Sequence, residues 1–191
     1  MKDKYSSFSE LKSSEVEGAY NIEFRELGTA VSLMAPHAGK IEPGTSEICR
    51  NVAGNDFTYY LFEGNKKSAN RDLHITSSRF DEPEGLRIAR SSQVVVTFHG
   101  QQGATQFINV GGLAEPLCKA VIDALNAAGF SASKHSNPSL QGCDENNICN
   151  QGISGKGIQL EISRALRDLL NKDAELMNLF SSALRRTLAC L

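Results

Sequence analysis

Residues 91–100 read SSQVVVTFHG, three valines in a row that run into a histidine and a glycine. A continuous apolar run suits a parallel strand covered on both faces better than an antiparallel strand with one wet face. Three further segments are read as strands: TAVSLMA at 29–35, FTYYLFEG at 57–64 and GIQLEIS at 157–163. TQFINVGG (105–112) and FSAS (130–133) are shorter strands. DLHITSSRF (72–80) has strand chemistry at its centre until EPEG (82–85) breaks it.

Helical patterns lie between these runs. Residues 114–128 space Leu117, Ala120, Val121 and Ala124 at helical intervals, and Gly129 supplies the stop. Thr45 is placed to cap a short helix, TSEICRNVAG, that ends at Gly54. Ser9 to Val16 form an opening helix, and helices around 163–171 and 173–188 close the chain. Strands alternating with helices predict an α/β fold with a mixed, largely parallel sheet, in a single domain over 1–191. With 40% hydrophobic residues, the chain is large enough for a real core.

Composition excludes several classes. The formal net charge is −2, and no Lys/Arg-rich run is present, so no nucleic-acid partner and no anionic membrane surface are expected. No apolar stretch approaches the roughly 18 residues of a membrane span. The stretch MKDKYSSFSELKSSEVEG lacks the apolar centre of a secretory signal, so a cytoplasmic protein, released when the cell opens, is expected. Five cysteines, at 49, 118, 143, 149 and 190, form no CxxC pair. Reduced thiols are expected, with a disulfide or part of a metal site at Cys143 and Cys149 left open.

In open α/β sheets, ligands bind beyond the carboxyl ends of the strands. His37 follows SLMAP and His99 follows VVVTF. Glu42 lies five residues after His37, across a glycine-containing turn in APHAGKIEPGTSE (35–47). Two imidazoles and one carboxylate, with water in the fourth position, form a catalytic zinc set. In GIQLEIS, Ile158, Leu160 and Ile162 point one way while Gln159 and Glu161 point the other. A carboxylate there needs a partner or a wet cleft, and Glu161 is the candidate to carry the proton from water to a leaving amine. A lone histidine at a strand end is more often structural than a ligand. The case rests on three residue types occurring together with a spare glutamate.

Four blocks of sequence, APHAGKIEPGTSE, LHITSSRFDEP (73–83), VVVTFHG (94–100) and GIQLEISRALR (157–167), resemble the bacteriophage and Bacillus poly-γ-glutamate hydrolases. That family also carries the label "phage-related replication protein", which no residue here supports. The resemblance runs from about Tyr5 to Arg167. It implies a compact zinc-carboxypeptidase-like fold, zinc held by His37, Glu42 and His99, and Glu161 as general base. Glu47 is the alternative ligand. The implied reaction is hydrolysis of γ-glutamyl amide bonds, and the implied setting is a phage or prophage enzyme that removes a polyglutamate capsule. A monomer is expected.

A polyanionic substrate calls for cations, and Arg71, Arg79, Arg87 and Arg90 fall between the metal blocks. Arg79 is preferred because it shares a matched block with His74, itself a candidate to contact substrate. Asn70 is a candidate to orient substrate, whereas His135 is read as a surface residue. One departure stands out: the family resemblance leads to an Asn-Arg pair before the last strand, where this chain has Asn150-Gln151. Two alternatives remain open. One is an amidase acting on another N-acyl amino acid. The other is a metal-binding prophage protein that no longer catalyses. A His/Glu site also accepts manganese or cobalt.

Overall fold

The strand-forming segments assemble into one seven-stranded sheet. The computed structural model describes residues 3–191. The strands are β1 (Tyr20–Arg25), β2 (Val31–Gly39), β3 (Thr58–Gly64), β4 (Val94–Gln101), β5 (Ile108–Gly111), β6 (Ala132–Lys134) and β7 (Ile158–Ser163), in the spatial order β1-β3-β2-β4-β7-β5-β6. Four of the six pairings are parallel; β1 with β3 and β5 with β7 are antiparallel. The helices are α1 (Phe8–Ser14), α2 (Thr45–Ala53), α3 (Pro83–Ser91), α4 (Glu115–Ala127), α5 (Arg164–Leu170) and α6 (Ala174–Leu188). The architecture is the expected α/β fold, with a mixed, largely parallel sheet flanked by helices.

Alternation along the central strands builds two cores. Leu33 of β2, Val96 and Phe98 of β4, and Ile158, Leu160 and Ile162 of β7 face a large cluster that α2, α4, α5 and α6 complete. Met34 and Val95 face a smaller cluster on the other side, packed with Phe8, Leu11 and Ile88 from α1 and α3. The smaller layer covers only part of its face. The carboxyl ends of β4 and β7 are left lining a cleft of about 920 Å³.

Several segments differ from the sequence expectations. Residues 72–80 are not a strand. Asn70–Leu73 and Ser77–Arg79 are 3₁₀ turns, because Asp3 and His37 take up the hydrogen-bonding groups around Ile75 and Thr76. EPEG does not simply break a strand but opens α3: the Glu82 carboxylate accepts the Gly85 N–H, and Pro83 takes a first-turn position where no amide is needed. β1 is an additional edge strand whose faces are both partly wet, so it lacks the apolar run of its neighbours. Thr45 does not cap α2. Gly44, at φ +97°, is the N-cap, and a Cβ there would meet Asn171 and Arg167. The Thr45 hydroxyl instead donates to the Glu42 carbonyl at 2.9 Å.

Candidate active site

The site begins at an irregularity in β2. The pairing register of β2 with β3 shifts between Ala35 and Ala38. Pro36 has no N–H to give the ladder, and a bulge there re-aims the next side chain. His37 therefore lies within β2 rather than after it. His99 and Glu161 are register partners on β4 and β7, so both point to the same face. The turn after β2 brings Glu42 back beneath them: its backbone N–H donates to the His37 carbonyl at 2.9 Å.

His37, Glu42 and His99 converge on one point. Each offers an atom within 4.8 Å of the others, and the three could hold a metal ion. The two Nδ1 atoms lie 3.1 Å apart. Glu42 oxygens lie 3.5 Å from His37 Nδ1 and 3.7 Å from His99 Nδ1. His37 Nε2–H donates to the Ile75 carbonyl at 2.7 Å, which leaves its Nδ1 bare in the neutral ring. The Gly100 N–H donates to Glu42 Oε2 at 2.7 Å. Burial works to raise the Glu42 pKa, but His37 and His99, by their charge and hydrogen bonds when their Nδ1 atoms carry protons in the absence of a metal, hold the group well below the ordinary carboxylate value. Burial lowers the pKa of His99. Glu47 is exposed on α2, so Glu42 is the glutamate at the convergence.

Glu161 faces the same cleft and is treated differently. Burial, and then the charge of Glu42, push its pKa up to about 8. The side chain of Gln159 donates to its Oε1 at 3.1 Å.

The structure re-sorts the candidate substrate contacts. His74 lines the cleft and packs against His37, with ring centroids 3.9 Å apart and the rings tilted by 31°. Burial, together with the neighbouring His37 and Arg71, pushes its pKa down to about 3. Its Nδ1–H donates to Asp3 at 2.7 Å. Asp3 also accepts from the Thr76 N–H and hydroxyl and from Arg79. Arg79 thus clamps Asp3 and does not line the cleft. Asn70 is also outside it: its carbonyl accepts the Lys66 N–H and its amide donates to the Lys66 carbonyl, which closes a loop. Arg87 pairs with Glu26 and Glu84 on the surface. Of the four arginines considered from sequence, Arg71 lines the cleft, 3.6 Å from Glu42.

Arg164 and Arg167 also line the cleft and were not singled out from sequence, although they lie just beyond Glu161 on α5. Arg167 is 1% exposed and donates to the carbonyls of Ile162, Pro43 and Gln101. Gly100 makes room for it, since a Cβ there would lie 2.6 Å from the guanidinium carbon. The only sequence signal was position: a helix starting at a strand's carboxyl end points its first turns at the ligand crevice. Asp3 carried no signal, because its partners lie more than 70 residues away.

The Asn150-Gln151 position is structural. Asn150 is buried, and its amide donates to the Gly142 and Asp144 carbonyls while its oxygen accepts the Gly157 N–H. Gln151 does not line the cleft. His135 is buried rather than on the surface, with Nδ1 accepting the Asn137 N–H. All five cysteines are free thiols. No helix among the described residues is long and apolar enough to cross a membrane.

Comparison with known proteins identifies the family and the fold. A family model described as poly-gamma-glutamate hydrolase matches residues 5–185. UPF0714 protein YmaC of Bacillus subtilis (strain 168) is 43% identical over 173 residues, which cover 90% of this chain and 73% of YmaC. The curated relatives are longer, and the chain spans 64% to 73% of their length. A solved bacteriophage poly-gamma-glutamate hydrolase superposes with a TM-score of 0.92 at 33% identity, covering 98% of this chain and 97% of the other. The zinc-free apo structure of YNDL matches with a TM-score of 0.92 at 34% identity, covering 98% of each chain. The chain belongs to the poly-gamma-glutamate hydrolase family.

Proposed function

We propose that this chain is a zinc-dependent hydrolase that cleaves the γ-glutamyl amide bonds of poly-γ-glutamate, as a phage- or prophage-type capsule depolymerase. The observation that carries the reading is the convergence of His37 Nδ1, His99 Nδ1 and Glu42 in a cleft that Glu161 also faces. The donor set fits a zinc ion. Two imidazole nitrogens 3.1 Å apart beside a carboxylate can each present an electron pair once their protons leave, and a cation satisfies all three together. The Ile75 carbonyl and the Gly100 N–H hold His37 and Glu42 in the orientation a ligand needs. The family resemblance and the zinc-free relative support the same metal.

When bound, zinc supplies Lewis acidity, acidifying water and polarising a carbonyl, and its charge favours an ionised Glu161. Glu161 removes a proton from the attacking water as the new C–O bond forms. It delivers that proton to the amide nitrogen as the C–N bond breaks. Burial at Glu161 works against the charged carboxylate, which favours uptake of the water proton during the reaction. Arg71, half exposed at the cleft, offers a forked cation to a substrate carboxylate. Arg167 adds a fixed positive charge at the cleft wall.

The test is depolymerisation of poly-γ-glutamate followed by size-exclusion chromatography. Wild-type protein, chelator-treated protein with and without restored zinc, and Glu161→Gln are compared. Chain shortening that needs metal and vanishes in Glu161→Gln is the expected result. Intact polymer after treatment with zinc-loaded wild type rejects the substrate. A panel of α-linked and N-acyl amino acids then identifies the amide that is cleaved.

A further inference from the structure

Glu161 is a flexible side chain on a strand, and a general base must present one oxygen in one direction. The structure contains a device that does this. Gln159 lies two residues earlier on the same face of β7 and is 5% exposed. Its Nε2 donates to Glu161 Oε1 at 3.1 Å and to the Leu140 carbonyl at 3.2 Å. Its Oε1 accepts from Asn147 Nδ2 at 2.9 Å. The Asn147 oxygen in turn accepts the backbone N–H of Cys149 at 3.1 Å.

The direction of this chain of amides is determined from its far end. The Cys149 N–H can only donate, so it selects the oxygen side of Asn147. That turns the Asn147 amine toward Gln159 and selects the Gln159 oxygen. The Gln159 amine is then left facing the Leu140 carbonyl and the Glu161 carboxylate. Turning over either amide sets donor against donor in a buried place, which is costly. Glu161 Oε2 makes no hydrogen bond among the described residues, so the held oxygen is Oε1 and the free one is Oε2.

We infer that Gln159 is the positioning residue of Glu161, and that Asn147 sets the orientation of Gln159. The inference rests on the reading of Glu161 as the proton carrier. It also ties the base to the loop between β6 and β7. That loop supplies both Asn147 and the Leu140 carbonyl, and it lines the cleft where substrate must lie.

The experiment is steady-state kinetics on the zinc-loaded protein with a γ-glutamyl substrate. The variants are Gln159→Leu, Asn147→Ala, Glu161→Gln and the double variant Gln159→Leu/Glu161→Gln. Gln159→Leu is expected to lower kcat about tenfold or more, the scale on which orienting partners act, with little change in KM. In the Glu161→Gln background the same change is expected to have no further effect, because Gln159 acts through Glu161. Asn147→Ala is expected to give a smaller fall in kcat.

Wild-type kcat in Gln159→Leu overturns the inference. So does an equal fractional loss with and without Glu161. Should Gln159→Leu fail to fold, NMR of the Gln159 side-chain amide in wild type and Glu161→Gln decides. Its resonances shift between the two if the hydrogen bond exists, and unchanged resonances overturn the inference. Wild-type activity in Glu161→Gln is a different failure, that of the parent reading, and the amide spectra separate the two.

Discussion

The turn that carries Glu42 and the strand that carries Glu161 bury their carboxylates equally: each residue is 8% exposed. Their chemistry diverges. Glu42 accepts a backbone N–H from Gly100 and lies between two imidazoles, with Arg71 3.6 Å away, and its pKa is held well below the usual value. Glu161 receives one amide N–H, from Gln159, and the charge that bears on it most is the negative charge of Glu42. Its pKa is pushed up to about 8. Burial alone raises both; the neighbours separate them. A pair of carboxyl groups driven apart in this way is suited to the division of labour in the proposed mechanism, one staying ionised as ligand and the other carrying protons.

The largest effect should come from breaking the ionised member. Glu42→Gln is expected to abolish stoichiometric zinc binding, measured by metal analysis. Its loss of activity should exceed the roughly 10–100-fold that an orienting partner is worth. Full metal content in that variant would show that the histidines alone hold the ion. Glu161→Gln comes next: activity should fall by about 10²–10⁴-fold with metal content unchanged. Loss of metal there would merge the two roles that the comparison keeps apart.

Proton linkage sharpens the contrast in the metal-free protein. The folded pKa of Glu161 lies above its unfolded value of 4.5, so its contribution to stability is fully present below about pH 4.5 and lost as pH rises through about 8. Above about pH 7, where the lowered pKa values of His74 and His99 leave both rings neutral folded or unfolded, thermal melts of metal-free wild type should fall by a few degrees up to about pH 9, and Glu161→Gln should fall less. Glu42 has the opposite sign: its contribution is present above the ordinary carboxylate range and lost as pH falls below it. Asp3, whose pKa is lowered to about 2 although burial opposes this, loses its contribution in the same acid range, below about pH 4. Equal alkaline slopes for wild type and Glu161→Gln would remove Glu161 from this account.

The smallest effect belongs to the rim. Arg71 is half exposed, so Arg71→Ala should raise KM several-fold with kcat and zinc content nearly unchanged. The difference from wild type should narrow as salt is raised, because exposed charges are screened. A large fall in kcat instead would place Arg71 with the buried groups around Glu42.

Several parts of this site were legible in one dimension. The valine run of β4, the alternation in GIQLEIS and the His–Glu spacing of APHAGKIEPGTSE identified His37, Glu42, His99 and Glu161 as one candidate set, and the structure brings the first three within 4.8 Å. Strand alternation is a local property of the backbone, so Leu160 and Ile162 enter the large core while Glu161 between them faces the cleft. Other parts were not legible. Residues 72–80 look like a strand by composition, but Asp3 and His37 hold them in 3₁₀ turns. Arg79 and Asn70 have suitable chemistry, yet neither lines the cleft: Arg79 pairs with Asp3, and Asn70 bonds the Lys66 backbone.

By itself, then, the sequence determined the strand faces, the class of fold and the residue types able to bind a metal, because these follow from local periodicity and side-chain chemistry. Only the tertiary structure decided which arginines reach the cleft, that Asp3 holds His74, and that Gln159 donates a hydrogen bond to Glu161. Each of those depends on hydrogen bonds or charges acting over a few ångströms, most of them between groups far apart in the chain, and that proximity exists only once the chain has folded.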